Sequence, residues 1–207
     1  VKYGTPEETA VLAARLSEGD YERARAFATD EAVRDRRASW AMIPGRLVSS
    51  LDALDAATEV LDRAHVAVKE LETSQKREVI ELAEAMGEGR GTAATRNALA
   101  KRHKRELKRL EEDVIGEAFQ ALASFYRDVL ARRTGGADAV TNLDLVSDIE
   151  AWAGAELPDG ALLAAVDRCL QVRPALARNA NVPLQIEAAL VELVRLVPPP
   201  STLVTTP

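Results

Sequence analysis

The densest group of side chains with chemical potential is a basic run. Arg96, Lys101, Arg102, Lys104, Arg105, Lys108 and Arg109 face a single acid, Glu106, a net charge of +6 over residues 96–109 of a chain whose formal total is −6. Cations at this density can neutralise phosphates, which releases counterions and adds affinity that does not depend on base sequence. At about 100° per residue, Lys101, Arg102, Lys104, Arg105, Lys108 and Arg109 share one side of a helix, while Leu99, His103, Leu107 and Leu110 share the other. Those six cations are the candidate nucleic-acid-binding residues. The competing reading is a solvated helix face, because no aromatic interleaves for base stacking and Glu111-Glu112-Asp113 ends the run.

Other reactive types are sparse. His65 and His103 have no cysteine or carboxylate cluster at ligand spacing, so no metal site is expected. His65 falls on an apolar seam, where a hydrogen-bonded core or edge histidine is the usual outcome. No serine stands in a nucleophile-elbow setting, and no phosphate-cradling loop is present. Cys169, the single cysteine, sits in Val166-Asp167-Arg168-Cys169-Leu170 and is expected as a buried thiol. One sulfur excludes an internal disulfide framework and a cysteine-based zinc site, and fits a reducing cytoplasm. Neither a catalytic residue nor a cofactor is expected.

The elements that must position these groups read as helices. Ala and Leu dominate, aromatics make up only 4%, and Val, Ile and Thr rarely alternate with polar residues across the 207 positions. An all-α fold follows. Thr5-Pro6-Glu7-Glu8 has the pattern of a capping box and opens a short helix to about Leu16. Gly19-Asp20 and Thr29-Asp30 start two more short helices, the last stopping before Ile43-Pro44.

From Leu47 the spacing changes. Leu47, Leu51, Leu54, Thr58, Leu61, His65 and Val68 recur at steps of four and three, the spacing of a packed seam, and predict one long helix to Met86. Gly87-Glu88-Gly89-Arg90-Gly91 predicts a flexible turn. A second long helix from about Thr92 to Arg132 places Leu107, Leu110, Val114, Ala118, Ala121, Phe125 and Val129 on one face. Further helices are expected near Leu145 to Ala155, from Ala161 to a kink or break at Pro174, and from Pro183 to Pro198-Pro199-Pro200. No apolar run approaches the ~20 residues that cross a bilayer. The chain begins at Val1 with a helix almost at once, and is expected to be a piece of something longer.

Several stretches, taken in order, carry a family resemblance. They are Leu16-Ser17-Glu18-Gly19-Asp20-Tyr21 through Asp30, Phe125-Tyr126-Arg127-Asp128-Val129-Leu130, Thr141-Asn142-Leu143-Asp144-Leu145, and Ala175 through Leu190 with its Arg178-Asn179-Ala180-Asn181-Val182-Pro183 centre. With them the chain resembles the C-terminal half of the delta-prime subunit of the bacterial DNA polymerase III clamp loader. The resemblance implies that residues 1–43 are the end of an AAA+-type lid and 44–197 a helical collar for oligomerisation; the Pro, Ser, Thr and Val residues of 198–207 are expected from their composition to be a disordered tail. It implies the other clamp-loader subunits, gamma/tau and delta, as partners through the collar, and DNA indirectly through the complex. The least covered part is the basic insert from Gly87 to Arg109.

The family's N-terminal module, with its zinc-binding cysteines and Ser-Arg-Cys motif, has no counterpart here, so no catalytic residue carries over. Related lids contact nucleotide through an arginine three residues after the glycine. Here that position is Glu22, with Arg23 one later, which fits a stator that does not hydrolyse ATP. Two expectations result. The first is a non-catalytic subunit fragment whose collar helps assemble the ring that loads the sliding clamp on primed DNA during replication. The alternative is a free-standing helical nucleic-acid-binding module using the basic face.

Overall fold

A computed structural model describes residues 5–86, 90–178 and 181–200. Among them the regular structure is entirely helical, in eight α-helices with no strand. These are α1 (Glu7–Leu16), α2 (Tyr21–Thr29), α3 (Glu31–Ala41), α4 (Ser50–Met86), α5 (Arg90–Arg133), α6 (Val146–Ala153), α7 (Asp159–Leu176) and α8 (Val182–Leu196).

Local signals set most boundaries. Asp20 and Asp30 each accept a hydrogen bond from the backbone N–H three residues on, capping α2 and α3. Asn181 does the same for α8 at Leu184. Ser49 and Asp52 cap α4 reciprocally: the Ser49 N–H and hydroxyl both donate to the Asp52 carboxylate at 2.7 Å, and the Asp52 N–H donates back to the hydroxyl at 3.3 Å. The Ser49 bonds hold the Asp52 carboxyl below its ordinary range. Gly135, at φ +83°, ends α5 in the left-handed conformation that favours glycine.

Three details depart from the sequence reading. The Thr5 capping box does not form, because α1 starts at Glu7 with Pro6 at its N-cap, and the Thr5 hydroxyl donates instead to the Ala28 carbonyl at 3.4 Å. Pro174 does not end α7, which runs on to Leu176. The proline lies in the final turn, where its missing N–H removes only one helical bond. Gly91 lies within α5 rather than in a turn, while residues 87–89 of the expected turn lie outside the described residues.

The larger correction concerns α4. The leucine seam is only partly turned to the core: Leu47 is buried and Leu61 half-buried against it, whereas Leu51 is 67% and Leu54 41% exposed, and His65 is also exposed. The buried positions are Ala53, Ala56, Ala57, Val60 and Ala64, about a third of a turn away. Small side chains let α4 approach its neighbours closely, and this outweighs the greater apolar area of the leucines.

The core follows from four helices in a closed circuit, in which α4 packs on α5, α5 on α7, α7 on α8 and α8 back on α4. Gly116 marks the close approach of α5 to α7, since a Cβ there would lie 3.3 Å from Arg173 Cδ. On α5, Ile115, Ala118, Phe119, Leu122, Phe125, Tyr126 and Val129 are buried. Trp152 anchors α6 by edge-on packing, its ring centroid 5.4 Å from that of Phe125 and 5.9 Å from that of Tyr126. From α3, Trp40 and Ala41 enter the same core, whereas Ala13, Leu16 and Phe27 form a smaller cluster of α1 and α2.

With 37 and 44 residues, α4 and α5 are far longer than α7 and α8, with 18 and 15. Their distal parts therefore pair with each other beyond the four-helix core. After α8, Pro199 is buried, and residues 201–207 of the expected tail lie outside the described residues.

Candidate functional site

The candidate basic residues lie on this distal hairpin. Its two helices run antiparallel, as the cross-links show: His65 Nε2 lies 4.0 Å from Glu111, the Gln75 amide donates to Glu106 at 3.0 Å, and His103 Nε2 lies 2.9 Å from Glu78. Toward the tip the buried apolar layer thins to Leu99, with Leu107 and Leu110 half-buried, and polar pairs take its place. Gln75 and His103 are themselves buried there. Hydrogen bonds from His103 and Arg102 hold the exposed Glu78 carboxyl below its ordinary range.

The expected partition of the basic helix holds. Lys101, Arg102, Lys104, Arg105, Lys108 and Arg109 are all exposed, and Leu99 and His103 are buried. The six are not electrostatically equal. Arg102 bonds Glu78 at 2.5 Å and lies 3.3 Å from Glu106, Lys108 lies 3.5 Å from Glu112, and Arg109 lies 3.6 Å from Asp113. Lys101, Lys104 and Arg105 have no carboxylate partner among the described residues. The hairpin thus offers three uncommitted cations on one face of a projecting helix.

His65 sits at the hairpin edge near Glu111 rather than in the core, and His103 is the histidine that packs inward. Cys169 is buried, and burial pushes its thiol up to about 12, so very little thiolate exists at neutral pH. No group of three or more His, Cys, Asp or Glu that could hold a metal occurs among the described residues. No helix among them is long and apolar enough to cross a membrane.

Two polar linkages escape the sequence reading. Asp128, fully buried on α5, accepts hydrogen bonds from the backbone N–H groups of Thr141 and Asn142, both at 2.8 Å. The signal is present in Phe125-Tyr126-Arg127-Asp128-Val129, where an acid stands on the buried stripe and demands donors. Arg37, buried on α3, pairs with Asp144 at 2.8 Å. Burial pulls its guanidinium below the ordinary value and Asp144 opposes that. A contact between positions so far apart leaves no periodic trace in the sequence.

No family model, curated protein or solved structure matches the chain.

Proposed function

We propose that the chain is a non-catalytic assembly module of the clamp-loader delta-prime type, whose helical bundle joins the gamma/tau and delta subunits in the ring that loads a sliding clamp on primed DNA. The observation that carries this reading is the exposed Leu51–Leu54 seam on α4. Two exposed leucines one turn apart near the start of α4 give a helix of another chain an apolar patch to pack on, and their burial is worth about 1.5–3 kcal/mol each. In this reading the chain needs no reacting side chain, and its setting is the cytoplasm.

Further support comes from the two stretches of the resemblance around Asp128 and Asn142, which are welded together by hydrogen bonds in the core. The described part of the implied lid segment, residues 5–43, docks through α3 onto α5 and through the Arg37–Asp144 pair. Co-purification of the full-length protein with gamma/tau and delta tests the reading, with the Leu51→Asp/Leu54→Asp variant as the control that should lose them.

A second reading is nucleic-acid binding by the hairpin, favoured by the uncommitted Lys101, Lys104 and Arg105. The two readings are compatible if the hairpin adds DNA contacts to an assembly module. They differ in what charge reversal on α5 would abolish.

A further inference from the structure

Lys101, Lys104 and Arg105 lie on the outward side of α5, exposed and with no carboxylate partner among the described residues, while Leu99 and His103 of the same helix are buried. Three or four residues separate neighbours along this row, close to one helical turn of about 5.4 Å. Lys108 continues it by a further turn and is also exposed, with Glu112 at 3.5 Å. Arg102 and Arg109 flank the row, tied to Glu78 and Asp113. Exposed pairs of that kind are weak, and they leave the charge of the other three in place.

The composition of the hairpin decides what such a row can hold. Between Trp40 and Phe119 the chain carries no Phe, Tyr or Trp. Stacking of unpaired bases on aromatic rings is a main source of affinity for single strands, and this face has none to offer. The exposed side chains described on α5 are Ala, Thr, Asn, Arg, Lys and Glu, which gives a protein partner no large apolar group to cover. What is left is charge on a stiff support. A double helix matches it, because one negative charge per ~1.7 Å of axis gives every cation a phosphate and neither partner has to be ordered before binding.

We propose that the outward face of α5 at Lys101, Lys104 and Arg105 lies along the phosphate backbone of double-stranded nucleic acid and binds it without reading the base sequence. The proposal rests on the nucleic-acid reading and narrows it to one substrate class, the duplex. Phosphate contacts position a protein but carry no base information. With three phosphates neutralised, log K falls against log salt with a slope of about −2.7, a weakening of about fortyfold between 50 and 200 mM salt.

Fluorescence anisotropy of the full-length protein with short labelled DNA tests this. Two duplexes of unrelated sequence should bind within about twofold of each other, and a single strand of either at least about tenfold more weakly. Lys101→Gln/Lys104→Gln/Arg105→Gln, with parental circular dichroism, should make the salt slope shallower by about 2.7. Asn97→Lys, which adds a cation one turn before Lys101 at an exposed position, should make it steeper by about 0.9 and keeps the test valid if the triple variant does not fold. Absence of DNA binding, or displacement of the duplex by polyglutamate at equal charge concentration, would overturn this proposal together with the nucleic-acid reading. A single strand that binds as well as the duplex, a preference for one duplex sequence, or a parental slope in either folded variant would overturn the proposal and leave that reading standing.

Discussion

Asp128 on α5 and Asn142 in the segment before α6 are joined twice: the Asn142 backbone N–H donates to Asp128 Oδ2 at 2.8 Å, and the Asn142 side-chain amide donates to the same oxygen. Thr141 adds its own N–H at 2.8 Å. A buried carboxylate is tolerated only where donors replace water, and here the main chain supplies them. The result fixes the chain's exit from α5 before it returns through α6.

Asp128→Ala should therefore destabilise the fold by about 3 kcal/mol or more, since it strands two main-chain donors in the interior. Asp128→Asn keeps one acceptor oxygen and should cost less. Urea denaturation of the three proteins checks this ordering, and an Ala variant as stable as the parent would refute the linkage.

The faces of α4 predict opposite outcomes for the same substitution. Val60→Asp places a charge in the core and should cost several kcal/mol, whereas Leu51→Asp and Leu54→Asp alter exposed positions and should melt within a few degrees of the parent. From sequence alone, Leu54→Asp or Leu61→Asp would be expected to destabilise the fold. Leu61 is only half-buried against the core, so its Asp variant should fall between the two classes.

The Glu78 carboxyl is held below its ordinary value of 4.5 by hydrogen bonds from His103 and Arg102. A carboxyl with a lowered folded pKa stabilises fully above the unfolded pKa, and the contribution disappears as pH falls through the folded value. Thermal melts from pH 7 to pH 3 should show the parent above Glu78→Gln at neutral pH, with the gap closing only below about pH 4.5. A constant gap across the range would contradict this account of the hairpin clasp.

The helices are largely legible in the sequence because caps and apolar periodicity are local. Asp20 and Asp30 announce α2 and α3, and the stripe from Ala118 to Val129 marks the buried face of α5. The face of α4 is not legible, because leucine spacing identifies an apolar seam without saying which of its residues the core covers, while Ala53, Ala57, Val60 and Ala64 are the residues small enough for close packing. The basic face is legible as a face. Its charge state is not, since the partners of Arg102 include Glu78 on the other long helix.

That distinction sets the expectation for DNA. If the hairpin merely solvates its cations, duplex and single-stranded DNA should bind at roughly 10⁻⁴ M at physiological salt, and Lys101→Glu/Arg105→Glu should leave stability nearly unchanged. Fluorescence anisotropy across a salt series distinguishes the cases. Much tighter binding that weakens steeply with salt and vanishes in the double variant would favour the nucleic-acid reading.

The most direct measurement of the central claim is gel filtration with light scattering of the full-length protein mixed with gamma/tau and delta. The parent should elute in a complex of matching mass, and Leu51→Asp/Leu54→Asp, with parental circular dichroism, should elute alone. A parent that never joins the complex, or a double variant that joins it equally well, would contradict the assembly role of the α4 seam.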